Sequence, residues 1–286
     1  MKVKFPLGAG LIHGAAMVMA LVLACGRADA AGTASDTAAN YSNTNSPGWG
    51  VTPPNNGSGF GAWSITLNNA NNPPYVGTYL DTGSPIVTGG FSWGTYANGT
   101  GDNGMITMTR PFTAGGSGSS SLYNQTFSLD LASGGIGNGN GGPPNSELGF
   151  SIGTAFSFFY LGTGSDNFDF SVDPRRAPIV TPVNFSELSS GLHISLGVGG
   201  PLNGASESYT LTVSPFLGGS PYYTTTGTFN GSANSTSFFS YTDSNTTGNG
   251  YLNNLNITVE AAPEPSSLAL LGLSGLAAVF TVRRRK

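Results

Sequence analysis

Proton transfer near neutral pH would fall to His193, because the other histidine of this 286-residue chain, His13, lies in an apolar leader. A Ser/His/Asp arrangement also needs a serine held on a sharp turn, and no Gly-x-Ser-x-Gly motif accompanies His193. Leu192 and Ile194 flank it, so strand alternation predicts an exposed position on the opposite face. Asp81-Thr82-Gly83-Ser84 presents a second carboxylate of interest. Hydrolysis by aspartates needs two carboxyls sharing one proton, and no second Asp-Thr-Gly or Asp-Ser-Gly exists, so an ordinary turn is expected there. Glu147, Glu187 and Glu207 lie far apart in sequence, whereas glycoside hydrolysis requires carboxyls about 5–10 Å apart. No catalytic residue is assigned.

Binding chemistry has two candidates. Asp166, Asp169 and Asp173 gather hard oxygens that suit calcium, but the spacing departs from an EF-hand, and a solvated acidic edge is the expectation. One histidine and no mature thiol cannot make a zinc site, so no other cofactor is expected. Trp49, Trp93, Tyr222 and Tyr223 could pack on sugar rings. Trp93 alternates with Phe91 and is assigned to the core, and Tyr222-Tyr223 to a strand start.

Short period-two segments must position these residues. Alternation recurs at residues 63–67, 127–131, 148–152, 168–172, 192–196, 209–213 and 255–259, and no interior stretch holds a helical period. Asn98-Gly99, Asp102-Asn103-Gly104, Asn138 to Gly142 and Asn203-Gly204 supply tight turns between them. Seventeen Phe, 11 Tyr and three Trp give enough apolar surface for a packed core despite 44 glycines. No fixed repeat argues for a solenoid or propeller. The prediction is an all-β domain over 59–260, a jelly-roll type two-sheet β-sandwich, preceded by a flexible polar linker over 31–58.

Charge placement excludes one class of partner. Between Ala31 and Ala262 only Arg110, Arg175 and Arg176 face twelve carboxylates, which leaves the body at −9. Such a surface lacks the basic stripe that nucleic acid requires. The remaining cations sit at the ends. Lys2 and Lys4, an apolar run from Leu7 to Ala24 and Ala28-Asp29-Ala30 form a three-part secretory signal with cleavage after Ala30, implying passage through the Sec translocon. A rival cut before Cys25 would follow a loose lipoprotein box. Cleavage after Ala30 removes Cys25, the sole cysteine, and leaves no disulfide.

At the other end, Pro263-Glu264-Pro265 precedes an uncharged run from Ser266 to Val282, then Arg283, Arg284, Arg285 and Lys286. Seventeen residues make roughly 25 Å of helix, a short single transmembrane span, and the basic cluster places its end in the cytoplasm. The prolines hold Glu264 in extended chain just outside the membrane, where an active site can read it. This order resembles the PEP-CTERM sorting signal, with Ala262 where valine is usual. The resemblance covers residues 262–286. It implies handling by an exosortase-type processing enzyme, anchoring in the inner membrane beforehand, and delivery to the cell surface or extracellular polymer.

A second resemblance concerns the body. Ser92 to Asn98, Arg110-Pro111-Phe112, Gln125 to Leu131 and Asn253 to Ile257 are similar to segments of concanavalin-like (lectin/glucanase-like) sandwich domains. Laminarinase-like members carry two glutamates around an aspartate on one strand, and no Glu-x-Asp-x-x-Glu pattern is present. The expectation is an exported, non-enzymatic surface or matrix protein, structural or adhesive, engaging polysaccharide. The alternative is a carbohydrate-active enzyme, a glycosidase or lyase, on the same sandwich.

Overall fold

Fourteen stretches are described by the computed structural model of this chain: residues 33–41, 49, 53, 55–68, 76–97, 104–112, 122, 124–135, 147–161, 167–173, 176–199, 206–231, 236–244 and 248–259, the single positions included. All seven alternating segments form strands, because period two aims one set of side chains at a core and the other at water. The first strands are β1 (Ala34–Asp36), β2 (Ser64–Asn68), β3 (Val76–Asp81), β4 (Ser92–Ala97), β5 (Met105–Pro111), β6 (Gln125–Ser133) and β7 (Glu147–Ile152). There follow β8 (Phe156–Leu161), β9 (Asn167–Val172), β10 (Ile179–Asn184), β11 (Leu192–Gly199), β12 (Glu207–Pro215), β13 (Tyr223–Phe229), β14 (Phe238–Ser244) and β15 (Asn249–Val259).

Two antiparallel sheets face each other. One has eight strands in the order β13-β12-β11-β6-β15-β4-β3, with β1 on β15. The other has seven, in the order β10-β9-β8-β7-β14-β5-β2. Inward residues of both sheets make one core. Phe127 of β6 stacks on Phe239 of β14 with ring centroids 5.6 Å apart, and Phe156 of β8 meets Tyr209 of β12 at 5.5 Å. Trp49, Trp63 and Trp93 converge beside Tyr41, Trp49 stacking on Trp93 at 5.5 Å. Burial of this kind is worth about 1.5–3 kcal/mol per large apolar side chain before entropy is charged.

The lead is a correction to the sequence reading. Residues 33–41 are not a flexible linker: β1 pairs with β15, and Ala34, Ala38, Tyr41 and Trp49 lie in the core. A buried ion pair adds to this, Asp36 with Arg110 of β5. Arg110 also donates from Nε to Gly61 O at 2.8 Å and from Nη2 to Asn55 Oδ1. Its guanidinium lies 4.9 Å from the ring centroids of Phe60 and of Trp63. The folded body therefore begins before residue 59.

Among the described residues a 3-10 turn at Ala38–Tyr41 and one α-helix interrupt the strands. Phe185–Ser190 (α1) follows β10 because Asn184 and Glu187 make a capping box, Asn184 accepting from Ser186 N at 2.8 Å and Glu187 from Asn184 N at 2.9 Å. Among the described residues no helix is long and apolar enough to cross a membrane, and the span expected over 266–282 lies outside them. The asparagine–glycine turns named above, Gly104 apart, also lie outside the described residues.

Candidate functional site

Strand register lines up hydroxyl and amide side chains across the outer faces. On the eight-stranded sheet Ser35, Asn256, Ser128, Ser195, Thr212 and Thr224 are successive cross-strand partners over β1, β15, β6, β11, β12 and β13. A second row runs Thr258, Thr126, Gly197, Thr210 and Thr226. The seven-stranded sheet carries Ser64, Thr109, Ser240, Ser151, Ser157 and Ser171 in the same fashion. None of these residues is buried. Strands about 4.8 Å apart repeat such groups at a fixed pitch, each hydroxyl offering one donor and two acceptors.

The next row of the eight-stranded sheet carries charge. His193 of β11 sits between Asp130 of β6 and Ser214 of β12. Its Nδ1 lies 2.7 Å from Asp130 Oδ1, with the imidazole side chain 43% exposed and the carboxylate 3%. Asn254 Nδ2 donates to Asp130 Oδ2 at 2.5 Å and to Thr88 Oγ1 at 2.8 Å. Asn254 occupies the left-handed region (φ 50°) in a bulge of β15, where the register on β6 shifts. That bulge falls where the other neighbour of β15 changes from β4 to β1.

Asn253, wholly buried, fixes the bulge. It donates to Ile86 O at 3.0 Å and Phe91 O at 2.8 Å, and accepts from Ala38 N and Asn254 N, each at 3.0 Å. Beside it a cleft of about 380 Å³ opens between the lead and β15, lined by Ser35, Thr37, Asn40, Asn254 and Asn256. Asn254 thus belongs both to the cleft and to the Asp130–His193 pair.

The hydrogen bond to Asp130 raises the His193 pKa, burial opposes it, and the carboxylate charge adds to the rise. With Nδ1 committed to Asp130, Nε2 is the ring atom left for a ligand or a proton. The Ser214 hydroxyl donates to His193 O at 3.4 Å, so its proton is turned to the backbone. The arrangement holds an oriented imidazole beside hydroxyls and an amide, a set suited to hydrogen-bonding a polyol.

The other sequence-predicted residues distribute as follows. Trp49 and Trp93 are core residues, Tyr223 opens β13, and Tyr222 is 38% exposed before it. Asp81 ends β3 and accepts from Gly83 N at 2.9 Å and from Ser84 N, an ordinary turn. Glu187 caps α1, Glu207 is buried at the start of β12, and Glu147 starts β7, where burial raises its pKa. Asp169 points from the outer face of β9 while Asp173 lies beyond the strand end. Desolvation raises the Asp169 carboxyl, whose Oδ1 is buried without a partner among the described residues. No group of three or more His, Cys, Asp or Glu fit to hold a metal occurs among the described residues, and Asp166 lies outside them. Ala28, Ala30, Pro263, Glu264, Pro265, Arg283, Arg284, Arg285 and Lys286 lie outside them too.

Sequence reasoning missed Asp130, Asn253 and Asn254. Phase could have found Asp130, since Phe127, Leu129 and Leu131 face inward and set it on the face that His193 shares.

Comparison with known proteins bears on the tail first. Residues 261–286 match the PEP-CTERM protein-sorting motif. The PEP-CTERM tail implies export, a membrane-anchored stage before processing, and an exosortase-type enzyme as its reader. Comparison with curated proteins returned no match. Among solved structures, the chain is similar to the carbohydrate esterase vb_24B_21 from Shiga toxin-encoding bacteriophage phi24B, with 12% identity, 70% of this chain and 90% of that one covered, and a TM-score of 0.42. It is also similar to the VIP36 exoplasmic/lumenal domain in its Ca2+/Man2-bound form, at 5%, 72%, 84% and 0.43. Lectin I-B4 from Griffonia simplicifolia, in a metal-free form, matches at 10%, 78%, 98% and 0.40.

Proposed function

We propose that the exported sandwich is a non-enzymatic surface or matrix component that holds polysaccharide against the outer face of its eight-stranded sheet. The observation that supports this most is the pair of hydroxyl and amide rows leading to the Asp130–His193–Asn254 cluster and its cleft. Each hydrogen bond to a sugar is worth only about 0.5–1.5 kcal/mol net, so useful affinity needs many repeated contacts along a polymer. A body with few cations and a charge of −9 favours neutral glycans over acidic ones.

Delivery follows from the ends: export through the Sec translocon, cleavage after Ala30, anchoring in the inner membrane by residues 266–282, then processing near Pro263-Glu264-Pro265. Retention of neutral and acidic polysaccharides by the exported protein tests the binding role. Ser195→Glu with Thr212→Glu should weaken retention of a neutral glycan at least tenfold, about 1.4 kcal/mol. Binding to no polysaccharide would remove the adhesive role.

A second reading, a carbohydrate-active enzyme, draws on the Asp130–His193 pair, the one imidazole–carboxylate contact among the described residues. Release of acyl groups or reducing ends from a polysaccharide, abolished by His193→Ala, would favour it over adhesion.

A further inference from the structure

We infer that the outer edge of β13 is a self-docking surface, which joins two copies of this chain by antiparallel strand pairing. An edge strand presents unpaired N–H and C=O groups, and proteins ordinarily blunt such edges with charge, proline, bulges or a covering segment. Of the four strands that end the two sheet paths, three are blunted or short. β10 carries Pro182 at its middle and a register shift against β9. β3 ends in Asp81, has Val76 and Gly77 buried, and engages Trp49 O through the Thr78 hydroxyl. β2 is five residues long.

β13 differs from all three. Its seven residues, Tyr-Thr-Thr-Thr-Gly-Thr-Phe, pair in full with β12 and, among the described residues, with nothing on the other side. It contains no charge and no proline, and β-branched Thr224, Thr225, Thr226 and Thr228 favour extended chain. Gly227 lies over the Tyr209 hydroxyl, where a side chain would collide, so the inner face of the strand stays flat. The surrounding sequence extends the point: no charged residue occurs from Ser208 to Thr242, and Glu207 just before it is buried. Elsewhere a body of −9 repels its copies, whereas this strand itself brings no charge to the contact.

The occupant is therefore a second copy of this chain. Identical strands pairing antiparallel generate a two-fold axis normal to the sheet, so one contact satisfies both partners and closes. In full overlap of Tyr223–Phe229 the axis passes beside Thr226, which meets its own copy on the exposed face. Directly opposed residues have Cα atoms about 4.5–5.5 Å apart, inside the range that a disulfide spans.

Single cysteines introduced into the full, exported chain test this outside the cell, where thiols oxidise. Thr226→Cys is expected to give a species of twice the monomer mass, lost on reduction. A registry displaced by four residues moves that species to Thr224→Cys or Thr228→Cys. Thr66→Cys on β2 and Val180→Cys on β10, exposed to a similar degree, serve as collision controls, and the parent chain reports any contribution of Cys25. These exposed threonines contact little, and protease resistance equal to the parent verifies the fold. Monomer at all three β13 positions, or dimer of equal yield at Thr66 and Val180, overturns the inference.

Discussion

Replacing Asp36 by alanine leaves Arg110 charged where no other anion is described beside it. Arg110 is fully buried and Asp36 is 3% exposed. The carboxylate accepts from Thr37 N and Asn40 Nδ2, each at 2.9 Å, from the Tyr41 hydroxyl at 2.7 Å and from Arg110 Nη1. After Asp36→Ala the guanidinium keeps Gly61 O, Asn55 Oδ1 and, at 3.5 Å, the Tyr41 hydroxyl, all neutral. Removing one partner of a buried pair costs about 3–5 kcal/mol, and that is the expected loss. Asp36→Ala combined with Arg110→Met removes both charges, and apolar replacement of a buried pair is close to neutral. The double variant should therefore be about 2 kcal/mol more stable than the sum of the single variants. Urea denaturation followed by tryptophan fluorescence reads this, because Trp63 packs on Arg110 and against Trp49 of the lead. A loss below about 1 kcal/mol for Asp36→Ala, or strict additivity, refutes a dry pair stapling the lead to β5.

Four further outcomes are expected. Asn253→Ala should cost about 2–4 kcal/mol, since Ile86 O, Phe91 O and Ala38 N lose a buried partner, and should expose residues 33–41 to protease. The His193 pKa is raised above 6.5 in the fold, so its contribution is complete below 6.5 and is lost as pH rises through the folded value. Imidazole NMR should place the midpoint above 6.5, and Asp130→Asn should bring it down. Tyr41, pushed up to about 12 by burial and then by Asp36, should stay protonated at pH 10 by ultraviolet titration. Alanine at Pro263, Glu264 and Pro265 together should leave the C-terminal segment attached, which mass spectrometry of the natural C-terminus detects.

Local pattern carried the fold as far as strand identity. Segments such as Leu192 to Leu196 and Tyr209 to Val213 alternate over a packed sheet, and their burial follows the alternation residue by residue. Pairing register is a long-range property, so the contact of His193 with Asp130, 63 positions earlier, was invisible until β11 lay on β6. The lead misled because its anchors Ala34, Ala38, Tyr41 and Trp49 are few and set in polar sequence. A warning was present in β5, where Ile106, Met108 and Arg110 share one inward phase that Phe112 continues just past the strand. A cation in that row demands a buried anion, and Asp36 answers it. Helix α1 escaped because six residues cannot display a helical period, although Asn184 and Glu187 spell its cap. The tail was legible because its prolines, apolar run and terminal cations act through order along the chain.

Hydrogen–deuterium exchange of the exported protein, with and without the neutral polysaccharide it retains best, tests the binding face most directly. The account predicts added protection in β6, β11, β12 and the bulge at Asn253–Asn254, with β7, β8 and β9 unchanged. Protection confined to the seven-stranded sheet, or none at saturating polysaccharide, would contradict it.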